Sequence, residues 1–318
     1  MTRSILVLRE EEIRRLLDPA SCIEAVEQAF SAYATGGASL PAVINLEVPE
    51  NRGEIHVKAG HLAGGAHYAV KIASGFAGNP ALGLTQNDGL VLVFDARTGA
   101  PAALLFDNGF ITDQRTGAAG GVAARYLAPE RVEAVAVIGT GIQARKQVEA
   151  LRVVRPGITL VRVWGRSRER AALAAADVGG VVAGSVEEAV HRADVVITCT
   201  ASREPLVLAH HVAPGTHLTA VGSDGAGKQE LDPELLRRAD VVAVDSLDQC
   251  RRLGELQHAP ELAERAVELG AVIAGRAPGR TGRGQLTVAD LTGVGVQDVA
   301  AAAAVLANAG DRGDAIEL

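Results

Sequence analysis

The stretch VAVIGTGIQA, Val135–Ala144, decides the fold: an apolar run enters a glycine turn and leaves it as a helix. Gly139 and Gly141 occupy the first two glycine positions of a dinucleotide turn. Ala144 takes the third, where a small residue lets helix and strand approach and the backbone reach a pyrophosphate. Alone, GxGxxA is a weak pattern, because a plain strand-to-helix turn reads the same way. Its context strengthens it. From Val132 onward the runs VAVIG, VRVWG, VVAG, VVITCT, HLTAVG and VVAVD alternate with helical segments. Continuous apolar runs of that length are what a parallel sheet covered on both faces requires, so the prediction is a doubly wound α/β domain. The lead-ins RADVVITCT and RADVVAVDS are near copies that place Asp194 and Asp240 before a buried strand.

More than a hundred residues precede the turn, and they read differently. DPASCIEAVEQAFSAYATGG, from Asp18, gives a capping Asp, Pro19 at the first helical position, apolar Cys22, Val26, Phe30 and Tyr33 at helical spacing, and Gly36 as a stop. EIHVKAG, YAVKIASGF, LVLVFDARTG and PAALLFD follow, separated by Gly, Asn and Pro, as expected for antiparallel strands, with DARTGAP as a hairpin turn. After Thr112, RTGAAGGVAARYLAP predicts a small-residue helix closed by Pro129, and the domain boundary is placed there. The tail VQDVAAAAAVLANAG predicts a last helix.

Bulk properties narrow the function. The 318 residues carry a formal charge of -7 and only 3% aromatic side chains, so the charge and stacking that nucleic-acid binding needs are both missing. No segment approaches the roughly 18 apolar residues of a membrane span. Three separated cysteines, Cys22, Cys199 and Cys250, suit reduced thiols in a cytoplasmic protein. Eight histidines show no HxH or HExxH spacing, and His210 and His211, being adjacent, are expected to point apart, so no metal site is expected.

Several polar residues stand out. After the second strand, VWGRSRER puts Arg166, Ser167 and Arg168 where an NAD-selective fold would place an acid against the ribose; this favours NADP(H), while Glu169 keeps NAD(H) possible. Lys58, Lys71 and Arg115 are cations among small or apolar residues, and burying them costs several kcal/mol each unless paired. Lys71 could equally be an exposed strand lysine. Arg115 is read as opening a helix, where a cation opposes the dipole, which suggests that it meets an anion. Asp224, in AVGSDGAGKQELD, follows a strand of the nucleotide sheet, at the end where such sheets bind ligands, although a turn-forming Asp among glycines is common. DLTGVGVQD reads as a glycine loop without an obvious catalytic group.

Taken in order, VKIASGFAGNPALGL, LVFDARTGAPAALLFDNGFITDQRTGAA, VAVIGTGIQAR, VGSDGAGKQELD and LTGVGVQD make the chain resemble the ornithine cyclodeaminase and mu-crystallin family over nearly its whole length. The resemblance implies a split α+β domain that binds substrate and forms a homodimer, residues 1–127 completed by a C-terminal helix at 299–318. A Rossmann domain, residues 128–298, is inserted between. It further implies that Lys71 and Arg115 hold a substrate carboxylate, that Asp224 and Lys71 serve catalysis, and that Gly139, Thr140, Gly141, Ile142, Gln143 and Ala144 hold the pyrophosphate. Thr116, Thr200, Ala201, Val221 and Gly222 complete the candidate cofactor set, and Lys58, Glu54 and Val294 the substrate set. The family's further carboxylate-binding Arg after a proline is absent: Pro41 is followed by Ala42 and Val43.

The implied chemistry is hydride transfer at a carbon bearing nitrogen in a small amino or imino acid. The leading expectation is NAD(P)H-dependent reduction of α-imino acids, cyclic or linear. Alternatives are ornithine cyclodeamination, with Glu54 as the second acid, an alanine-type dehydrogenase, and a non-catalytic ligand carrier.

Overall fold

The computed structural model describes residues 4–317. Contacts divide the chain into two compact units, residues 1–115 with 294–318, and residues 116–293. These divisions differ from the expected boundaries at 127/128 and 298/299. The helix Phe110–Leu127 begins in the first unit and ends in the second. From Thr116 on it belongs with the helix Ile142–Val154: Gln147 Nε2 donates to the Thr116 carbonyl at 2.9 Å. At Gly117 a Cβ would lie 2.7 Å from the Lys146 carbonyl oxygen, so only glycine permits this approach.

The second unit carries an eight-stranded sheet, all parallel, in the spatial order 181–182, 160–164, 134–138, 195–198, 217–220, 287–290, 241–244, 267–268. All six expected strands are present. Thr287–Asp290, whose TVAD is too short to register as an apolar run, inserts between the fifth and sixth of them. Side chains alternate between two cores: Val135 and Val137 pack on one face, Ala136 and Ile138 on the other, which is why the run has no polar member. The echoed aspartates also acquire a role. Asp194 accepts from the backbone N–H groups of Glu133 and Ala134, and Asp240 from that of Leu286, so each ties down the start of a neighbouring strand.

In the first unit the helix Pro19–Ala34 forms as its signals predict, with Asp18 accepting from Ala20 and Ser21 N–H. The strands Gly53–Leu62, His67–Phe76, Asn87–Asp95 and Pro101–Phe106 pair antiparallel in sequence order, and Ser4–Arg9 lies parallel to the last of them. The C-terminal expectation needs correction: the last helix runs Gly295–Ala309, not 299–318. Gly310 and Gly313, both at positive φ, end it, and Asp314–Glu317 returns as a strand antiparallel to Ser4–Arg9. One face of this sheet is covered by the last helix, where a Cβ at Gly295 would sit 2.6 Å from the Ala59 carbonyl oxygen. The opposite face is apolar, bearing Tyr68, Val70, Ile72, Ile55 and Val57, with Ile44 and Leu46 exposed.

Candidate active site

Lys71 lies on the strand His67–Phe76, on the face that the last helix covers, and is 3% exposed. The exposed-lysine reading is therefore wrong. Tyr68 and Val70 line the outer face, whereas Lys71 shares the inner one with Ala69. Its Nζ donates to Asp298 Oδ1 at 2.9 Å. Arg115 is equally buried, but it does not open its helix. The helix starts at Phe110, where the buried Asp107 carboxylate accepts from Ile111 N–H at 2.8 Å, and Arg115 sits more than a turn inside it. The helix-start argument for an anion partner thus fails, and the partner is found on the last helix instead. Arg115 Nε donates to Asp298 Oδ1 at 3.0 Å and Nη1 to Gln297 Oε1 at 2.6 Å.

Lys71 and Arg115 share one oxygen of the Asp298 carboxylate, the buried Asp107 lies within electrostatic reach of Lys71, and half-buried Lys58 stands directly opposite Lys71 on the neighbouring strand. Burial, opposed by Asp298 and reinforced by the like charges of Arg115 and Lys58, brings the Lys71 ammonium down to about 7. Burial alone would raise Asp298, but Lys71 and Arg115 outweigh it and hold the carboxyl below its usual range. A buried ion cluster of this kind adds little to stability compared with apolar packing. Perturbed groups so arranged cluster at functional sites, and structural ion-pair networks perturb pKa values too.

Gln297 and Asp298 are the residues that the sequence reading missed, in the loop described as lacking a catalytic group. The available signal was a Gln-Asp pair at the start of an otherwise apolar helix, VGVQDVAAAA. Val294 is the N-cap of that helix and is buried. Glu54 is not brought to the cluster. It is exposed, two same-face positions from Lys58, about 13 Å along the strand. His56 stands between them, bonded through Nδ1 to Asn45 Oδ1 at 2.7 Å.

In the second unit the glycine turn has the form a dinucleotide needs. Gly139 has φ 136°, and a Cβ there would lie 2.6 Å from Cys199 Sγ. At Gly141, the N-cap of Ile142–Val154, a Cβ would meet nothing within 4 Å, so the backbone faces open space at a helix N-terminus. Arg145 braces the turn by donating to the Thr140 and Gly141 carbonyls, Ala144 is buried against the strand, and Gln143 bonds to Gln147. The turn follows Ala134–Ile138 beside Val195–Thr198, where the strand order reverses, and Thr200 and Ala201 leave the second of these strands. These features fit a dinucleotide.

Ser167 caps the next helix by accepting from Arg170 N–H, while Arg166 and Arg168 are exposed and pair with no carboxylate among the described residues. Val221 and Gly222 continue from His217–Ala220, and Asp224, exposed just beyond, is ion-paired with Lys228 at 2.5 Å. The His210 and His211 rings do not point apart but meet edge to face at 4.5 Å between centroids. Among the described residues no group of three His, Cys, Asp or Glu side chains is arranged to hold a metal. No helix of the described residues is long and apolar enough to cross a membrane.

Comparison with known proteins shows the family of the chain. Residues 3–313 match the profile of the ornithine cyclodeaminase/mu-crystallin family. A putative dehydrogenase of Rhizobium meliloti is 44% identical, with 100% of each chain covered. An archaeal alanine dehydrogenase dimer with bound NAD superimposes with a TM-score of 0.90 at 36% identity over 99% of both chains. The Thermococcus litoralis Δ1-pyrroline-2-carboxylate reductase, in complex with NADH and L-proline, gives 0.90 at 30% identity over 99% of this chain and 100% of the other.

Asp298→Asn should leave Lys71 and Arg115 without a counter-charge. The expected loss is about 3–5 kcal/mol, the usual cost of breaking a buried pair, measured by urea unfolding at pH 6. A loss below 1 kcal/mol would show that Asp298 is not what makes those buried cations tolerable.

Proposed function

We propose, for a chain that belongs to the ornithine cyclodeaminase/mu-crystallin family, NAD(P)H-dependent reduction of the C=N bond of α-imino acids. The substrates would be cyclic, such as pyrroline- or piperideine-2-carboxylate, or linear, such as iminosuccinate. The observation that carries this reading is the buried Lys71–Asp298–Arg115 cluster, in which two cations bond to a single carboxylate oxygen. Each cation keeps further N–H donors that an anionic substrate would use.

Lys71 and Arg115 hold the substrate carboxylate through charge-assisted hydrogen bonds, using the donors that Asp298 and Gln297 leave over. Lys58 adds positive potential to the same face. Gly139–Ala144, with Thr116, Thr200, Ala201, Val221 and Gly222, would hold the dinucleotide, which when bound would supply the hydride. Asp224, ion-paired with Lys228, stabilises the N–H of the protonated imine, whose positive charge makes its carbon the better hydride acceptor. Hydride addition to that carbon would move the C=N π pair onto nitrogen as a lone pair and give the neutral amine, which then takes a proton from solvent to become the ammonium form. Val294 would close the substrate side as the cap of the helix that carries Asp298. The apolar outer face of the first unit's sheet, with Ile44 and Leu46 exposed, would be the homodimer surface.

Cyclodeamination needs a second acid beside the substrate's side-chain amine. Glu54, exposed and about 13 Å along the strand from Lys58, does not provide one. An alanine-type dehydrogenase would use the same cations and run the same bond change from an α-amino acid.

A screen of the purified protein with NADPH and NADH tests the reading. It would use pyrroline-2-carboxylate, piperideine-2-carboxylate, and pyruvate or oxaloacetate with ammonia. Absorbance at 340 nm unchanged with every substrate would refute it. Reduction of pyruvate with ammonia alone would select the alanine-type reaction.

Arg115→Met should retain dinucleotide affinity and lose more than tenfold in kcat/KM, about 1.5 kcal/mol or more. A carboxylate that cannot be reduced, such as pyrrole-2-carboxylate, should bind more weakly as pH rises from 7 to 9. In the free protein Lys71 sheds its proton through about 7, and binding must restore it. A flat profile would place Lys71 away from the carboxylate.

NADPH is the expected cofactor, since Arg166 and Arg168 are available to a 2'-phosphate beside Ser167. Replacing both arginines by Ala should raise KM for NADPH at least fivefold more than for NADH. Equal changes would reduce them to surface charge.

A further inference from the structure

The dinucleotide unit buries a second charged system that the reaction above does not use. Glu230, Asp245, Glu255 and Asp290 are each at most 1% exposed, and none pairs with a cation among the described residues. They are linked in series. Asp290 Oδ2 accepts from Leu256 N–H at 2.9 Å, and Glu255 accepts from the N–H groups of Glu230 and Leu231 at 2.8 and 3.2 Å. Asp245 anchors the far end, accepting from Thr292 Oγ1 and from Gly293 N–H.

Of the four, Glu230 bridges the two loops that leave strands 195–198 and 217–220. Its Oε1 accepts from Thr200 N–H at 2.5 Å and its Oε2 from Gly222 N–H at 2.8 Å. These two residues lead out of adjacent parallel strands whose pairing ends at Thr198 and Ala220, with one further rung from Val221 N–H to the Thr198 carbonyl. Beyond that rung the ladder has no partner to offer, and the carboxylate takes its place with one oxygen for each loop. The fit is close enough to dictate glycine: a Cβ at Gly222 would lie 2.1 Å from the Thr200 carbonyl oxygen and 2.6 Å from Glu230 Cδ. Asp224 is two residues further on.

We propose that Glu230 is a positioning residue of the dinucleotide crevice, whose carboxylate locks the 199–202 and 221–224 loops, and with them Asp224, in the register that binds cofactor. The inference rests on the dinucleotide reading above. The lock also depends on protonation. Burial pushes the Glu230 carboxyl up to about 7 against the pull of the Thr200 and Gly222 N–H groups. Glu255 and Asp290 lie behind it, and the Cys199 thiol, itself raised by burial and by Glu230, faces it from the first loop. Two separate N–H groups are best accepted by the ionised form, because protonation turns one oxygen into a donor. Cofactor affinity therefore rises with pH through about 7.

The test is Glu230→Gln, whose single amide oxygen serves one loop while its NH2 opposes the other. Dinucleotide affinity would be read from pH 6 to 8.5 by energy transfer from Trp164, the single tryptophan, with melting temperature read alongside. Wild-type affinity should rise at least threefold across this range. The variant should bind at least fivefold more weakly at pH 8, lose the pH dependence, and raise KM for the dinucleotide more than it lowers kcat. Glu230→Asp, which keeps the charge but not the span, should retain a pH dependence at lower affinity. Should the Gln variant not fold, Gly222→Ala separates the same loops with Glu230 intact and should weaken binding likewise. Variants with wild-type affinity and pH profile would overturn this inference alone. A wild-type protein that binds neither reduced dinucleotide would overturn it together with the functional reading.

Discussion

One carboxylate, that of Asp298, makes the first unit's interior possible. Lys71 arrives on a strand and Arg115 on a helix, both nearly sealed from water, and each would cost several kcal/mol there without an anion. Asp298 reaches them only because the last helix returns to lie on the sheet. Its closeness is set by residues without side chains: Gly295 against the Ala59 carbonyl, and Gly60 against Val299 and Leu40. Packing of small residues and placement of charge are therefore one constraint. Widening the helix–sheet gap would dissolve the ion cluster as surely as removing the carboxylate.

The same cluster explains why so awkward an arrangement is kept. Its stabilising value is small compared with an apolar replacement, while two cations bonded to one carboxylate oxygen keep N–H donors that an anionic ligand can use. Lys71, brought down to about 7, is charged when an anion approaches and can be neutral when none does. Such a group is inexpensive to bury in the free protein and still useful in the complex.

In the dinucleotide unit, carboxylates serve a different purpose: they complete a sheet where its ladder runs out. Asp194 and Asp240 accept backbone N–H groups at the starts of neighbouring strands, and Glu230 does the same beyond the ends of two others. Unpaired N–H groups at strand ends would otherwise be buried unsatisfied. At the carboxyl end, beside the glycine turn, the device that satisfies the backbone also fixes the crevice.

Periodicity and turn chemistry are local, and what they determine was legible in the chain itself. The apolar run into GTGIQA, five of the seven other strands of the parallel sheet, the Asp18–Pro19 helix start and the antiparallel order of the first unit follow from side-chain spacing and a few glycines and prolines. Lys71, Arg115 and Lys58 were legible as candidates because cations among small residues need a reason to be there. What the sequence could not state was their partner. Asp298 is 227 residues from Lys71 and 183 from Arg115, and nothing in the spacing of VGVQDV announces which distant charge it will neutralise. The strand Thr287–Asp290, inserted between two strands that precede it in the chain, and the return of Asp314–Glu317 beside Ser4–Arg9 escaped for the same reason. Local pattern fixes which face a residue presents, and only the folded chain decides what lies opposite that face.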